Sequence, residues 1–457
     1  MLNQASVVIC GAGITGVSAA YFLAKAGVQD ILLVDERPPL SFTSDRSAEC
    51  YRNWWADPAM LGLMNRSIDL LEKLADESGN VFQMNRRGYL YVTGDENSIP
   101  TLKARAKHIS NLGAGQLRTH TPEASNYQPA PPEGFRDQPD GADLLLGTSL
   151  IQKHFPYLTE KAVAAVHARR AGWLSAQQLG MYLLESAVTL AGTGRPGLRF
   201  ESARVTEVGV DNNQVTGVRL STGKRIDSPI FINAAGPYIK EVGRMLGVEI
   251  PVYTELHLKA SIRDTQGVVG RDAPLLIWND PQSLPWEDDE RDFLAEDPET
   301  TWLIEPFPAN VHTRPEGSGD SQTILLLWDY QDKVSEPVWP PLLDEVYPEI
   351  ALRGLAAMLP GMKGYFDKMP RPHLDGGYYT KTPENRPLVG PLPVGGAFVI
   401  GAVSGYGIMS ACAVGELLAC HVTGKSLPEY APALAPSRYE NPEYLKQLET
   451  MGNSEEL

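Results

Sequence analysis

The sequence predicts an α/β protein in which a Rossmann-like dinucleotide-binding domain is interleaved with an α+β domain built on a mostly antiparallel sheet. A glycine-rich turn between two short apolar segments near the N-terminus indicates the first domain. Short segments rich in valine, threonine and isoleucine, within residues 198–236 and 255–329, indicate the antiparallel sheet. The 457 residues are enough for two or three domains and show no repeat at fixed spacing.

The composition and charge of the chain exclude some classes of binding partner. The net charge is -16 and the isoelectric point is near 5.0, so the surface repels nucleic acid and anionic membranes, and small neutral or cationic molecules are better partners. The four cysteines lack CxxC spacing, which predicts neither a disulfide framework nor a metal site. No basic segment or cleavage site precedes the first strand, and we therefore expect a cytoplasmic protein.

The first element of the fold is a βαβ unit. Residues 7–10 and 31–34 are short apolar runs rich in β-branched side chains, which is typical of buried strands. Between them, the apolar side chains have helical spacing as far as Gly27, where the helix is predicted to stop.

The turn inside this unit carries the motif GxGxxG. Gly11 makes the tight turn, Gly13 lets the backbone approach a pyrophosphate, and Gly16 lets the helix pack on the strand. The phosphates then lie at the positive end of the helix. Asp35 closes the second strand, where a carboxylate can accept hydrogen bonds from ribose hydroxyls. The acid favours FAD or NAD over NADP, and the motif alone does not separate the first two.

The later elements follow from the same patterns. Residues 177–190 have helical spacing, and residues 121–140 and 279–298, rich in proline and acid, are predicted to be surface loops or insertions. Residues 387–415 contain no charged side chain, but glycine and proline divide them into a loop, a buried strand, a turn and a buried helix. We therefore predict no membrane span.

Three segments far apart in the chain decide between FAD and NAD. They are the N-terminal GxGxxG with its acid, the sequence AAGP at residues 234–237, and TPENRPLVG at residues 382–390 followed by SGYG at residues 404–407. Together they resemble the D-amino-acid oxidase superfamily of FAD enzymes, in the branch of glycine oxidase, sarcosine oxidase and dimethylglycine dehydrogenase.

The resemblance implies a discontinuous FAD-binding domain of residues 1–85, 148–238 and 365–440, a substrate domain of residues 86–147 and 239–364, and a C-terminal tail of residues 441–457. It places Val205 beside the adenine and aims the helix that begins near Ile408 at the flavin. The implied cofactor-binding residues are Gly11, Ala12, Gly13, Ile14, Thr15, Gly16, Asp35, Glu36, Arg37, Ser44, Arg46, Ser47, Ala48, Val205, Ala235, Gly236, Gly401, Ser404, Gly405, Tyr406, Gly407 and Ile408.

The implied reaction moves a hydride from the carbon next to an amine nitrogen to flavin N5 and leaves an imine. Secondary or N-methyl amines, including amino acids, are the favoured substrates. Three residues are the candidate catalytic groups: Arg52, whose planar guanidinium can grip a carboxylate, and His257 and Tyr330, which fall in the expected sheet of the substrate domain.

Three departures from the family pattern bear on the chemistry. Residues 376–380 hold no thiol for a covalent link, so FAD is expected to bind non-covalently. Met409 occupies the position of a lysine that pairs with the substrate carboxylate, and residues 323–328 lack the lysine that activates oxygen. The acceptor is therefore either oxygen or an electron-transfer partner. A dehydrogenase subunit that passes electrons to such a partner, and an FAD hydroxy-acid oxidoreductase, are the alternatives.

Overall fold

The computed structural model describes residues 3–192, 197–331 and 333–450. Its strands are β1 (Val7–Cys10), β2 (Ile31–Asp35), β3 (Cys50–Arg52), β4 (Tyr89–Thr93), β5 (Leu117–His120), β6 (Ala142–Leu146), β7 (Ala164–Ala168), β8 (Ala171–Trp173), β9 (Arg199–Ser202), β10 (Val205–Asp211), β11 (Gln214–Leu220), β12 (Arg225–Asp227), β13 (Phe231–Asn233), β14 (Tyr253–Arg263), β15 (Leu275–Trp278), β16 (Val311–Thr313), β17 (Thr323–Leu327), β18 (His373–Lys381), β19 (Leu388–Pro391) and β20 (Ala397–Gly401). Its helices are α1 (Ile14–Lys25), α2 (Pro58–Ser78), α3 (Ile99–Ile109), α4 (Thr148–His154), α5 (Ala176–Leu190), α6 (Ile239–Arg244), α7 (Asp288–Glu296), α8 (Tyr347–Leu355), α9 (Gly407–Thr423) and α10 (Pro442–Thr450).

A six-stranded sheet forms the nucleotide-binding half, in the order β19-β20-β13-β1-β2-β9. Strand β1 lies parallel to both β2 and β13, and β13 lies parallel to β20. All four residues of β1 are buried, because a parallel strand covered on both faces needs apolar side chains at every position. The predicted βαβ unit therefore lies at the centre of this sheet.

Two helices meet closely on one face of this sheet. The Ser18 hydroxyl of α1 donates a 2.6 Å hydrogen bond to the carbonyl of Ala411 in α9. A Cβ atom added at Gly415 would lie 2.2 Å from the Ser18 oxygen, so the crossing tolerates no side chain there. This contact fixes α1 against α9.

The second half is a nine-stranded sheet in the order β18-β14-β17-β16-β15-β4-β7-β6-β5. Only the β15–β4 and β5–β6 pairs are parallel among these described strands. Strand β14 pairs with β18 from Tyr253 opposite Lys381 to Ser261 opposite His373. The predicted α/β class with an interleaved, mostly antiparallel domain is confirmed.

Two strands lie in a different sheet from the one that the predicted domain boundaries imply. Strands β7 and β18 belong to the nine-stranded sheet, although the predicted boundaries assign their residues to the FAD-binding domain. The boundaries stay a prediction. Within the predicted tail, α10 is described, and residues 451–457 lie outside the described residues.

One predicted loop contains a helix. Residues 279–298 include α7, and the prediction of a loop is wrong there because local polar contacts start a helix. The Glu290 side chain accepts a 2.8 Å hydrogen bond from the backbone N–H of Glu287, which completes a capping box. Arg353 donates a 2.7 Å hydrogen bond to Glu290 and anchors the helix to the domain. No described helix has both the length and the apolar character that a membrane crossing requires.

Candidate active site

A cavity of about 350 Å³ lies between the two sheets. Its walls come from the glycine-rich turn, the short helical turn Thr43–Arg46, the end of β13, the start of α9, and the strands β14 and β18. The predicted cofactor-binding residues that border it are Gly11, Gly13, Ile14, Thr15, Asp35, Glu36, Arg37, Ser44, Arg46, Ser47, Ala48, Val205, Ala235, Gly236, Gly401, Ser404, Gly405, Gly407 and Ile408. Segments far apart in the sequence thus converge on one space.

The three remaining predicted cofactor residues, Ala12, Gly16 and Tyr406, do not border this cavity. Ala12 is fully buried, and Gly16 packs on the turn, where an added Cβ atom would lie 1.9 Å from the Gly11 carbonyl oxygen. The Tyr406 hydroxyl donates a 2.6 Å hydrogen bond to the carbonyl of Asn385. Ala12 and Gly16 shape the wall of the cavity from within the protein.

The turn leaves open space where phosphates would bind. Gly11 has a φ of +111°, and a Cβ atom there would lie 2.2 Å from the Ala234 carbonyl oxygen. At Gly13 an added Cβ atom would meet only the Ser44 hydroxyl, at 3.4 Å. Gly11 is therefore required by the protein's own packing, whereas Gly13 leaves room for a ligand.

Asp35 joins the turn to the loop that follows β2. Its two carboxylate oxygens accept hydrogen bonds from the backbone N–H groups of Ala12, at 2.8 Å, and Arg37, at 2.9 Å. The carboxylate borders the cavity, and each oxygen keeps a lone pair for a ribose hydroxyl.

The cavity also contains polar atoms that suit a bound dinucleotide. Among the described residues, the Thr43 hydroxyl and Arg46 Nε are buried without a hydrogen-bond partner, and both residues border the cavity. Helices α1 and α9 both begin at this wall, and their first turns carry the partial positive charge that favours an anion. Together with the space at Gly13, these groups fit FAD.

A second cavity of about 90 Å³ adjoins the first. The residues that border both cavities are Ser47, Ala48, His312, Asp329, Tyr379 and Gly405. Arg52 and Tyr406, both predicted site residues, border the smaller cavity, together with Trp55, Tyr89 and Met409. Two of the predicted site residues therefore border a small cavity that adjoins the cofactor cavity.

Strand β3 and aromatic rings position Arg52. The residue is only 6% exposed, and its guanidinium carbon lies 4.5 Å from the centre of the Trp55 ring and 5.6 Å from that of Tyr89. The Trp55 indole donates a 3.1 Å hydrogen bond to the Arg52 carbonyl, which holds the ring in place. The smaller cavity thus contains a cation held between aromatic rings.

His257 is held by acids on both sides. Its Nδ1 lies 2.7 Å from Asp329 Oδ1, and its Nε2 lies 3.1 Å from Glu255 Oε2. The ring stacks on Tyr379 at a centroid distance of 3.8 Å. Burial lowers the pKa of His257, but the two carboxylates outweigh it and raise this pKa to about 9. His257 is therefore an imidazolium with both nitrogens donating at neutral pH.

His312 and Asp329 are site residues that the sequence analysis missed. His312 Nδ1 lies 2.8 Å from the Asn310 carbonyl oxygen, which can only accept, so Nδ1 carries a hydrogen and the neutral ring keeps its lone pair on Nε2. Burial lowers the pKa of His312, Asp329 raises it and Arg52 lowers it. Burial raises the pKa of Asp329, but His257 outweighs it and holds this pKa at about 2. Neither residue belongs to a sequence motif: His312 is the middle residue of the short strand β16, and Asp329 follows the apolar strand β17.

Lys259 was also missed. Strand β17 is apolar as predicted, but Lys259 borders the larger cavity from the neighbouring strand β14, opposite Leu327. Its ammonium donates a 2.8 Å hydrogen bond to the Ser47 carbonyl. Burial lowers the pKa of Lys259. The signal was its spacing of two from His257, which puts both side chains on one face of the strand.

Tyr330 lies away from both cavities. Its ring packs against those of Trp328, at 5.7 Å, and Tyr347, also at 5.7 Å, in an aromatic cluster of the substrate domain. Neither cavity is bordered by Tyr330. Its predicted catalytic role therefore receives no support from its position.

The sequence matches one protein family over most of its length. A family model described as "DAO: FAD dependent oxidoreductase" matches residues 6–421. Human mitochondrial dimethylglycine dehydrogenase is 24% identical over 442 residues, which cover 96% of this chain and 44% of that protein. The chain thus spans about half the length of the curated relatives it matches.

Solved structures share the fold. L-proline dehydrogenase from P. horikoshii superposes with a TM-score of 0.72 at 20% identity, covering 96% of this chain and 99% of that one. Glycine oxidase from Bacillus cereus superposes with a TM-score of 0.67 at 16% identity, covering 94% of this chain and 98% of that one.

Proposed function

Because the chain belongs to the DAO family of FAD-dependent oxidoreductases, we propose that it oxidises the carbon–nitrogen bond of an amino acid to an imine, with secondary or N-methyl amines favoured. FAD supplies the hydride acceptor of this reaction. The protein's own part is to hold the cofactor, orient the substrate and exclude water. Similarity to an enzyme named dimethylglycine dehydrogenase supports an N-methylated substrate.

The observation that carries this proposal is the buried guanidinium of Arg52 in a small cavity that adjoins the cofactor cavity. A guanidinium offers a planar, two-point grip for a carboxylate. Trp55 and Tyr89 border the same cavity and give it apolar walls for the carbon skeleton or methyl groups. A carboxylate held by Arg52 would fix the position of the neighbouring carbon–nitrogen bond.

The experiment is anaerobic reduction of the bound flavin, followed by absorbance. The compounds are primary, N-methyl and N,N-dimethyl amino acids, the same amines without the carboxylate, and the matching 2-hydroxy acids. We expect the carboxylated N-methyl amines to bleach the flavin fastest. Bleaching by the 2-hydroxy acids alone would instead indicate hydroxy-acid oxidation, and no bleaching by any amine would overturn the proposal.

Arg52→Gln tests the carboxylate grip. A charge-assisted bidentate contact contributes roughly 2–3 kcal/mol, so substrate affinity should fall roughly 30- to 150-fold while the decarboxylated amines keep theirs. Arg225→Gln is the matched control, since the Arg225 side chain is 65% exposed. An equal loss for amines with and without a carboxylate would contradict the assignment of Arg52.

A second function concerns the electron acceptor. The apolar strand β17 and Met409 favour a dehydrogenase subunit that passes electrons to a partner instead of to oxygen. The reduced protein would then reoxidise slowly in air and rapidly with an artificial one-electron acceptor. Reoxidation in air as fast as substrate reduction would favour an oxidase.

A further inference from the structure

Removal of a hydride from an amino acid requires an unprotonated amine, and the inference drawn from this requirement rests on the proposed function. At neutral pH the amine of a free amino acid is protonated, because an aliphatic amine has a pKa of roughly 10. An ammonium nitrogen has no lone pair to form the carbon–nitrogen double bond. A protein group that accepts this proton would therefore accelerate the reaction at neutral pH.

The histidine that sequence reasoning selected cannot be this base. Both nitrogens of His257 lie within hydrogen-bond distance of carboxylates, at 2.7 Å and 3.1 Å, and each nitrogen donates. A pKa raised to about 9 keeps the ring protonated at neutral pH. Asp329 is equally unsuited, because a carboxylate with a pKa of about 2 is too weak a base.

Other polar groups near the smaller cavity are also poor bases. Burial raises the pKa of Tyr89 well above its ordinary value, so its phenol stays protonated. Burial likewise raises the pKa of the Cys50 thiol. Lys259 borders the larger cavity and not the smaller one, and its ammonium donates to the Ser47 carbonyl.

His312 has the properties that these groups lack. It borders both cavities, so it lies where the smaller cavity meets the larger one. The carbonyl of Asn310 fixes the hydrogen on Nδ1 at 2.8 Å and leaves the lone pair on Nε2. Burial is the main cause that lowers the pKa of this ring; of the charged groups, Asp329 after β17 raises this pKa and Arg52 from β3 lowers it.

We propose that His312 is the base that deprotonates the substrate ammonium. The nitrogen–hydrogen bond of the substrate breaks, its proton binds Nε2, and the electron pair stays on the substrate nitrogen. FAD bound in the larger cavity would then accept the hydride from the neighbouring carbon as the carbon–nitrogen double bond forms, and water would hydrolyse the imine. The Asn310 carbonyl and the Asp329 carboxylate stabilise the imidazolium, which returns its proton to solvent after turnover.

The test is the pH dependence of anaerobic flavin reduction in wild-type protein and in His312→Gln. Wild-type reduction should depend on pH less steeply than reduction of the variant, because His312, whose pKa burial lowers, can accept the substrate proton within the complex. In the variant only substrate that is already unprotonated reacts, so the rate should fall about tenfold per pH unit below roughly pH 10. The variant should be roughly 100- to 1,000-fold slower at pH 7 and approach the wild-type rate near pH 10.

Two controls make the result specific. His373→Gln alters an exposed histidine of the same sheet and should leave the profile unchanged. Added imidazole should accelerate His312→Ala at pH 7, because a free base can then enter the vacated space. If His312→Gln loses its flavin, the pH profile is measured instead on His312→Asn, which has a smaller side chain and also lacks the base.

A second readout needs no turnover. Histidine ring signals in the NMR spectrum of the apoprotein should include one that is absent from His312→Gln and titrates below pH 6.5. A His312 signal that titrates above pH 8 would overturn the proposal, since the ring would already be protonated. Superimposed pH profiles of wild type and His312→Gln would overturn it as well. A wild-type flavin that no amine reduces would instead overturn the proposed function, whatever the NMR titration shows.

Discussion

The three glycines of the turn differ in what an added side chain would contact. A side chain at Gly11 or Gly16 would collide with backbone carbonyl oxygens of the protein, at 2.2 Å and 1.9 Å, whereas one at Gly13 would enter the cavity. Gly11 and Gly16 are therefore required by the packing of the protein, and Gly13 is required by the space that the ligand needs.

This difference gives opposite expectations for substitutions. Gly13→Val should leave the thermal midpoint of the apoprotein within about a degree of wild type but abolish flavin retention, because the side chain fills phosphate space. Gly16→Ala should lower the free energy of unfolding by roughly 1–3 kcal/mol or more, because the collision is with backbone. Flavin absorbance per mole and thermal unfolding measure the two effects. Normal flavin content in Gly13→Val would show that the phosphates bind elsewhere.

The His257–Asp329 pair gives stability a pH dependence. The folded pKa of His257, about 9, exceeds the unfolded value of 6.5, so its contribution is complete below pH 6.5 and disappears as pH rises through 9. The pKa of Asp329 is depressed from 3.8 to about 2, so its contribution is complete above pH 4 and disappears as pH falls through 2. Their interaction is thus strongest between about pH 4 and pH 6.5.

We expect His257→Gln to be less stable than wild type by roughly 2–3 kcal/mol at pH 6, and the difference should shrink toward pH 9. Urea unfolding of the apoprotein at a series of pH values measures this difference. A stability difference that grows between pH 6.5 and pH 9 would contradict the assignment of a protonated His257.

At the scale of elements, Asp57 links two segments. Its Oδ1 accepts a 2.9 Å hydrogen bond from the Met60 N–H and caps α2, while Oδ2 accepts hydrogen bonds from Arg386, in the segment that precedes β19. The cap and the ion pair can be separated, because asparagine keeps an oxygen for the cap and loses the charge.

Asp57→Ala should lose both contacts and lower the free energy of unfolding by about 2 kcal/mol, with about half from the cap. Asp57→Asn should lose about 1 kcal/mol or less, since the cap remains. Urea denaturation of both variants at pH 7 gives the comparison. Equal losses in the two variants would mean that the ion pair, and not the cap, provides the stability.

Elements with local sequence signals were predicted well. The βαβ unit, the helix at residues 177–190 and the later strand, turn and helix of residues 387–415 follow from periodicity and from glycine, and the structure has β1, β2, α5, β20 and α9 there. Strand β19, at Leu388–Pro391, lies where a loop was predicted. Helix α7 was missed because acidic residues suggest solvent exposure, and its capping box depends on a contact that composition does not reveal.

The residues of the candidate site also fall into two groups, those with a local sequence signal and those without one. Cofactor residues in contiguous motifs were identified, since a glycine turn and its acid are adjacent in sequence as well as in space. His312 lies in β16, Lys259 in β14 and Asp329 just after β17, and the pairing of Lys259 with Leu327 is set by long-range register. A single sequence does not encode that register locally, so these residues could not be grouped beforehand.

At the scale of the whole molecule, the cofactor cavity lies between the two sheets. The turn after β1 and the start of α9 form one wall, and β14 and β18 form the opposite one. A ligand in this space contacts both halves of the protein at once. Binding of FAD should therefore stabilise the two sheets together and not the nucleotide-binding half alone.

FAD at 100 times its dissociation constant should add about 2.7 kcal/mol to the free energy of unfolding and raise the thermal midpoint of the apoprotein by a few degrees. Fluorescence and circular dichroism should report the same shifted midpoint, because residues from both sheets border the ligand. Gly13→Val is the matched control and should show no shift on addition of FAD. A shift confined to one of two separate transitions would mean that FAD binds one half only, and the wall formed by β14 and β18 would then have no part in holding the cofactor.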